Sequence, residues 1–244
     1  MSASPGLLSS LPLFPLSTVL FPGGLLPLRI FEVRYLDMIG KCHKAGAPFG
    51  VVSLTHGSEV RVAGAAAERF ATVGTLAEIR AFDAPQAGRN AAPSLGTDVS
   101  SLPPAGGFTP WGGPAAFMQI ECIGTQRFRV RSSELQKHGL WTAEVERLAD
   151  DLPVEVPDDL RLTADALRRL VDTLEERKRL EAADGLRLPV AAPYRFGDCG
   201  WVANRWSELL PLPPELKQRL MELDSPVMRL ELVSDLLART GITE

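Results

Sequence analysis

Residues 11–35 read LPLFPLSTVLFPGGLLPLRIFEVRY. The stretch packs apolar residues, the prolines Pro12, Pro15, Pro22 and Pro27, and a charged cluster of Arg29, Glu32 and Arg34 into a pattern that a generic fold does not need. An apolar run this near the amino terminus is also what a secretion signal requires. Two features argue against that reading. The first positive side chain is Arg29, so a basic leading region is missing, and the prolines would interrupt any helical apolar segment. Nowhere else does the sequence run for the roughly 18 uninterrupted apolar residues of a spanning helix. A soluble, cytoplasmic protein with no membrane partner is expected.

At 244 residues, with 45% hydrophobic and 23% charged side chains, the chain is long enough to bury one large core or two smaller ones. A net charge of −4 offers no bulk attraction for nucleic acid or acidic membranes. Cys42, Cys122 and Cys199 are odd in number, widely spaced and without a CxxC pair. That fits reduced, buried thiols better than a disulfide or a metal role.

Strand-forming runs fill the first half: FGVVSL at 49–54, FATVGTLAEIRAF at 70–82, AAFMQIECIG at 115–124, QRFRVRSS at 126–133 and LWTAEVERL at 140–148. In the last, Trp141, Ala143 and Val145 alternate with Thr142, Glu144 and Glu146, the period of a half-buried strand. Short strands with one apolar face each are best buried by closing the sheet, which predicts a small, partly open β-barrel. One helix interrupts it, with Phe31, Tyr35, Ile39 and Cys42 on its apolar stripe and its end at Gly46. After about Pro157 the period changes. Leu160, Leu167, Leu170, Val171 and Leu174 mark one helix; Trp201 to Leu210 a second, stopped by Pro211; Pro213-Pro214 open a third; Ser225-Pro226 start a fourth that ends near Gly241. The fold expected is α+β: a barrel domain over 1–150, with a flexible insertion at 84–114, and a helical bundle domain over 151–244, joined through the acidic, proline-containing stretch 149–157. The insertion, APQAGRNAAPSLGTDVSSLPPAGGFTPWGGP, is far longer than an ordinary strand connection. It reads as disordered, or as a lid whose Phe108 and Trp111 anchor its tip over a groove.

LPLFPL at 11–16, FPGG at 21–24, PLRIFE at 27–32, Arg34-Tyr35, FGVV at 49–52, VGTLAEI at 73–79, RFRV at 127–130, LWTAEVE at 140–146 and WVANRWSELLPLPPELKQRLMELD at 201–224 resemble, in wording and order, the Lon N-terminal (substrate-binding) domain family. This resemblance implies a barrel of the PUA-like type carrying one helix. It also implies a free-standing member that keeps the part of Lon that touches substrate, without its ATPase and protease domains. The sequence has no GxxxxGK[ST] phosphate loop.

An independent active site is not legible. His43, His56 and His138 are scattered, none spaced as a metal or catalytic pair, and adjacent Cys42-His43 point to different faces of a helix. No catalytic residue, metal or cofactor is expected. Arg29, Glu32 and Arg34 read as a carboxylate held between two guanidiniums, tying strand to helix. In the functional alternative one guanidinium is left free for a peptide, which makes Arg29, Glu32, Arg34, Tyr35, Phe108 and Trp111 the peptide-binding candidates. Arg127, Arg129 and Arg131 fall on one strand face, a candidate anion or RNA surface. Glu144 and Glu146 are the neighbours expected to neutralise it, and no aromatic interleaves to stack a base. The expected function is a non-catalytic module that recognises exposed apolar protein segments or peptides. An RNA-binding PUA-like module is the alternative, and an enzyme of unrecognised type ranks third. The expected partners are unfolded or peptide-like protein segments, with a protease or chaperone as a further candidate.

Overall fold

Leu7–Leu16 forms β1, and its two prolines are accommodated because the strand changes partner midway. Its first half pairs antiparallel with β7 (Trp141–Arg147), Leu8 against Val145 and Leu13 against Trp141. Its second half pairs parallel with β3 (Phe49–His56), Leu13 against Gly50 and Leu16 against Ser53. Each half is thus bonded mainly on one side, which leaves an open side where a strand tolerates proline. The computed structural model describes residues 6–59, 67–83, 117–180 and 188–240. Phe108, Trp111 and the whole 84–114 insertion lie outside the described residues.

Strand pairing continues from β7 to β6 (Met118–Leu135), to β5 (Val73–Asp83) and to β3, so the β1–β3 pairing closes the ring. β2 (Leu25–Ile30) pairs with the first part of β6, and the two-residue β4 (Arg69–Phe70) extends β3. Sequence analysis divided 115–133 into two strands, whereas β6 is a single 18-residue strand that serves β2, β5 and β7 in turn. Conversely the run at 70–82 is broken at Ala71-Thr72 between β4 and β5. The inside holds Leu11, Leu13, Val52, Leu76, Phe128 and Val145.

Helix α1 (Val33–Ala45) ends at Gly46, whose φ of 60° is the left-handed conformation that glycine adopts without penalty. Tyr35, Met38, Ile39 and Cys42 face the sheet. Phe31 precedes the helix and is half exposed, so the stripe begins at Tyr35. The remaining helices are α2 (Arg161–Leu180), α3 (Cys199–Leu209), α4 (Pro214–Glu222) and α5 (Pro226–Thr240). Ser225 caps α5 through a hydrogen bond from the Met228 amide, as expected for Ser before Pro. The helices do not keep a core to themselves: Val19, Phe21 and Val73 from the sheet side join Leu167, Trp206 and Leu230 in one cluster.

Among the described residues no helix is long and apolar enough to cross a membrane.

Candidate functional site

The connection between β1 and β2 and the C-terminal helices enclose a hollow of about 370 Å³. Thr18, Val19, Leu20, Leu25, Leu26 and Pro27, with Glu121 of β6, line it on the sheet side; Leu188, Pro189, Glu208, Leu209 and Lys217 line it on the other. A second, mainly apolar hollow of about 390 Å³ is lined by Ala166, Arg169, Leu170, Leu174, Trp206, Leu210 and Pro211. The two hollows have Leu209 in common as a lining residue.

Local structure explains both walls. In the FPGG turn the Gly24 amide donates to the Phe21 carbonyl at 3.0 Å, while Gly23 donates to the Gly124 carbonyl at 2.7 Å and Gly124 donates back to Gly24 at 2.9 Å. Thr75 Oγ1 donates to the Leu20 carbonyl at 2.6 Å, so the connection is tied to the sheet along its length. On the helical side Asp198 caps α3 by accepting the Trp201 amide at 2.7 Å. Arg205 then reaches across: its Nε donates to Glu208 at 2.8 Å and its Nη2 to the Pro22 carbonyl at 2.9 Å. Gly24 has to lack a side chain, because the Glu208 carboxylate occupies the space a Cβ would need. Lys217 Nζ donates to the Glu208 backbone carbonyl at 2.8 Å.

Burial dominates the titration of Glu208 and pushes its carboxyl from the ordinary 4.5 up to about 7, against the opposing pull of Arg205, the Phe21 amide and Lys217. Burial likewise lowers Lys217, which Glu208 partly offsets.

The described residues singled out in sequence do not line these hollows. Glu32 pairs with Arg34 at 2.9 Å and, among the described residues, is not held between two guanidiniums. Arg34 also donates to the Gly139 carbonyl at 2.6 Å and lies 3.7 Å from Glu68, while Tyr35 is buried with its ring 4.0 Å from that of Phe14. Arg29 is separate, its guanidinium 3.9 Å from the Phe117 ring centroid. These contacts tie β1, α1 and the β6–β7 turn together. The arginine stripe is interrupted. Arg127 is buried, donating to the Met221 and Leu223 carbonyls at 3.0 and 3.2 Å and to Asp151 at 3.2 Å, with Asp224 at 3.4 Å. Arg131 pairs with Glu146, and Arg129 is exposed. His43 stacks on Phe82. All three cysteines are free and buried, and burial, with Glu121 and Cys42 nearby, pushes the Cys122 thiol up to about 12. Among the described residues no group of three His, Cys, Asp or Glu is placed to hold a metal ion.

Sequence reasoning missed Leu20, Leu26, Glu208, Leu209 and Lys217. One signal was available: Glu208 is an acid set in the apolar run Trp206 to Leu212, where a wet helix face would carry more than one.

The profile of the ATP-dependent protease La (LON) substrate-binding domain matches residues 10–239. The chain belongs to the Lon substrate-binding domain family. Its fold is similar to the crystal structure of a Lon N-terminal domain protein from Xanthomonas campestris, with a TM-score of 0.58 and 28% identity over 93% of this chain and 98% of that one. The N-terminal domain of Mycobacterium avium complex Lon protease shares the fold at a TM-score of 0.50 and 18% identity, over 93% and 96%. A search among curated proteins gave no match. The family model is that of a substrate-binding domain, and the fold of a mixed sheet with helices is shared with these Lon N-terminal domains.

Proposed function

We propose that this chain is a non-catalytic binding module that takes exposed apolar segments of other proteins into a groove made of the two hollows that share Leu209. In this reading residues 1–150 form a PUA-like barrel domain and residues 151–244 a helical bundle domain that supplies the second wall. The observation that carries it is a pair of hollows sharing Leu209 on a member of a substrate-binding family. An extended segment fits such a place. β2 has β6 as its sheet neighbour and, among the described residues, no strand on its other side, so a peptide backbone has an edge to pair with while alternate side chains enter the hollows beside Leu25 and Pro27. Hydrolysis of what is bound then belongs to a partner, a protease or chaperone. RNA recognition finds no support in the arginine stripe, since Arg127 spends its donors on the helices.

Fluorescence anisotropy of a labelled, permanently unfolded protein tests the reading. Leu209→Asp puts a charge where the two hollows meet on a side chain that is only partly buried, so the fold should survive while affinity drops by tenfold or more. Undiminished binding by a folded Leu209→Asp variant overturns the proposal.

A further inference from the structure

Among the described residues β2 is bonded to β6 alone. Gly124 donates its amide to the Gly24 carbonyl at 2.9 Å, so residue 24 turns its backbone toward β6. From there the two strands keep an unshifted register, Leu25 against Ile123 through to Ile30 against Met118. Backbone groups alternate in direction along a strand. Leu26, Leu28 and Ile30 therefore bond β6, while Leu25, Pro27 and Arg29 turn theirs to the open edge. Pro27 stands where its missing N–H removes no bond to β6. The same alternation puts the side chains of Leu25, Pro27 and Arg29 on one face. Leu25 and Pro27 line the hollow that holds Leu209, and Pro27 and Arg29 line the next one along, about 350 Å³, with Gln119 and Glu121 of β6.

We infer that the segments taken up at this edge are apolar stretches with an acidic side chain four residues from an apolar one, the acid being read by Arg29. The inference rests on the proposed function, in which a segment pairs with β2 beside Leu209. In an added strand the residue opposite Leu25 faces the Leu209 hollow, and the residue four positions away on the same face lies opposite Arg29. Arg29 is exposed, its guanidinium rests 3.9 Å from the centroid of the Phe117 ring, and among the described residues it has no ion pair. Arg34, by contrast, is spent on Glu32 and the Gly139 carbonyl. Directly opposed residues of paired strands stand about 4.5–5.5 Å apart at Cβ, within reach of a carboxylate for this guanidinium. Glu121 does not cancel the attraction. It sits on β6 and the added strand lies on the other side of β2, so two strand spacings, about 10 Å, separate it from the bound acid. That is roughly the screening length at physiological salt.

The probe is the acetylated, amidated peptide Glu-Thr-Val-Thr-Leu-Thr-Val-Thr-Glu, which reads alike in either strand direction and sets an acid four residues from leucine on each side. Two companions carry Gln or Lys in place of both Glu. Titration calorimetry on the wild type should rank Glu over Gln by about two- to fivefold and place Lys last. In about 1 M salt the spread should close. Arg29→Gln should bring the three affinities within about twofold of one another, and Arg29→Glu should invert their order; the side chain is exposed, so neither change threatens the fold. Equal wild-type affinities, a Glu preference that survives in Arg29→Gln, or an order not inverted in Arg29→Glu overturns the reading of an acid by Arg29. If Leu209→Asp meanwhile weakens all three peptides, the groove stands and the acid preference alone falls. If Leu209→Asp binds all three undiminished, the groove falls and this inference with it.

Discussion

Replacing Asp151 with Ala should lower the melting temperature of the whole protein by about 6–12 °C. Asp151 receives Arg127 of β6 at 3.2 Å and Arg229 of α5 at 2.6 Å, with the two arginine side chains only 5% and 1% exposed and its own 17%. Deleting the shared carboxylate strands two buried guanidiniums, a class of change that costs about 3–5 kcal/mol. The lower end applies. Arg127 keeps Asp224 at 3.4 Å, and Arg229 keeps the Leu220 carbonyl at 3.0 Å and Asn204 at 2.9 Å. About 3 kcal/mol, at about 2–4 °C per kcal/mol for a chain of this size, gives the stated range. Differential scanning calorimetry measures it, with hydrogen exchange resolved by peptide to follow the sheet and the helices separately. Asp151→Asn retains one acceptor oxygen and should lose less. A fall below about 2 °C, or an endotherm that splits with the sheet peptides unmoved, would refute the claim that this carboxylate binds the two halves into one unit.

The thiols should be inert in the native protein: Cys122 lies fully buried with its thiol pushed up to about 12, so iodoacetamide at pH 8 is expected to label Cys42, Cys122 and Cys199 only after denaturation, as intact-mass measurement will show. Rapid labelling of the folded chain would mean that the layer beneath α1 opens readily. A homogeneous preparation should neither hydrolyse ATP nor degrade casein, and ATP-dependent loss of casein on a gel would end the non-catalytic reading.

What could be read from sequence followed from how local each signal was. Alternation in Trp141–Arg147, the stripe in Leu160–Leu174 and the Ser225-Pro226 start signal are each local to a single element, and they match β7, α2 and α5. β1 was hidden because Pro12 and Pro15 argue against a strand unless its partner changes midway, which is a property of the assembled sheet. Period two placed Arg127, Arg129 and Arg131 on one face, but what covers that face comes from Leu220 to Asp224, far along the chain. The groove was illegible for the same reason. Its walls come from 18–27 and 188–217, and neither segment alone looks different from ordinary core.

The change of partner along β1 also sets the order in which this protein can be made. During synthesis β3 emerges soon after β1 and offers it a parallel neighbour early, whereas Leu8 must wait for Val145 before its other half is paired. Until then the chain carries an open seam of strand edge and apolar side chains. Non-local pairings of this kind are slow to form and leave edges open to other chains. The chain therefore passes through a stage in which it displays an apolar edge, and a nascent chain stalled before residue 141 should be the form that aggregates.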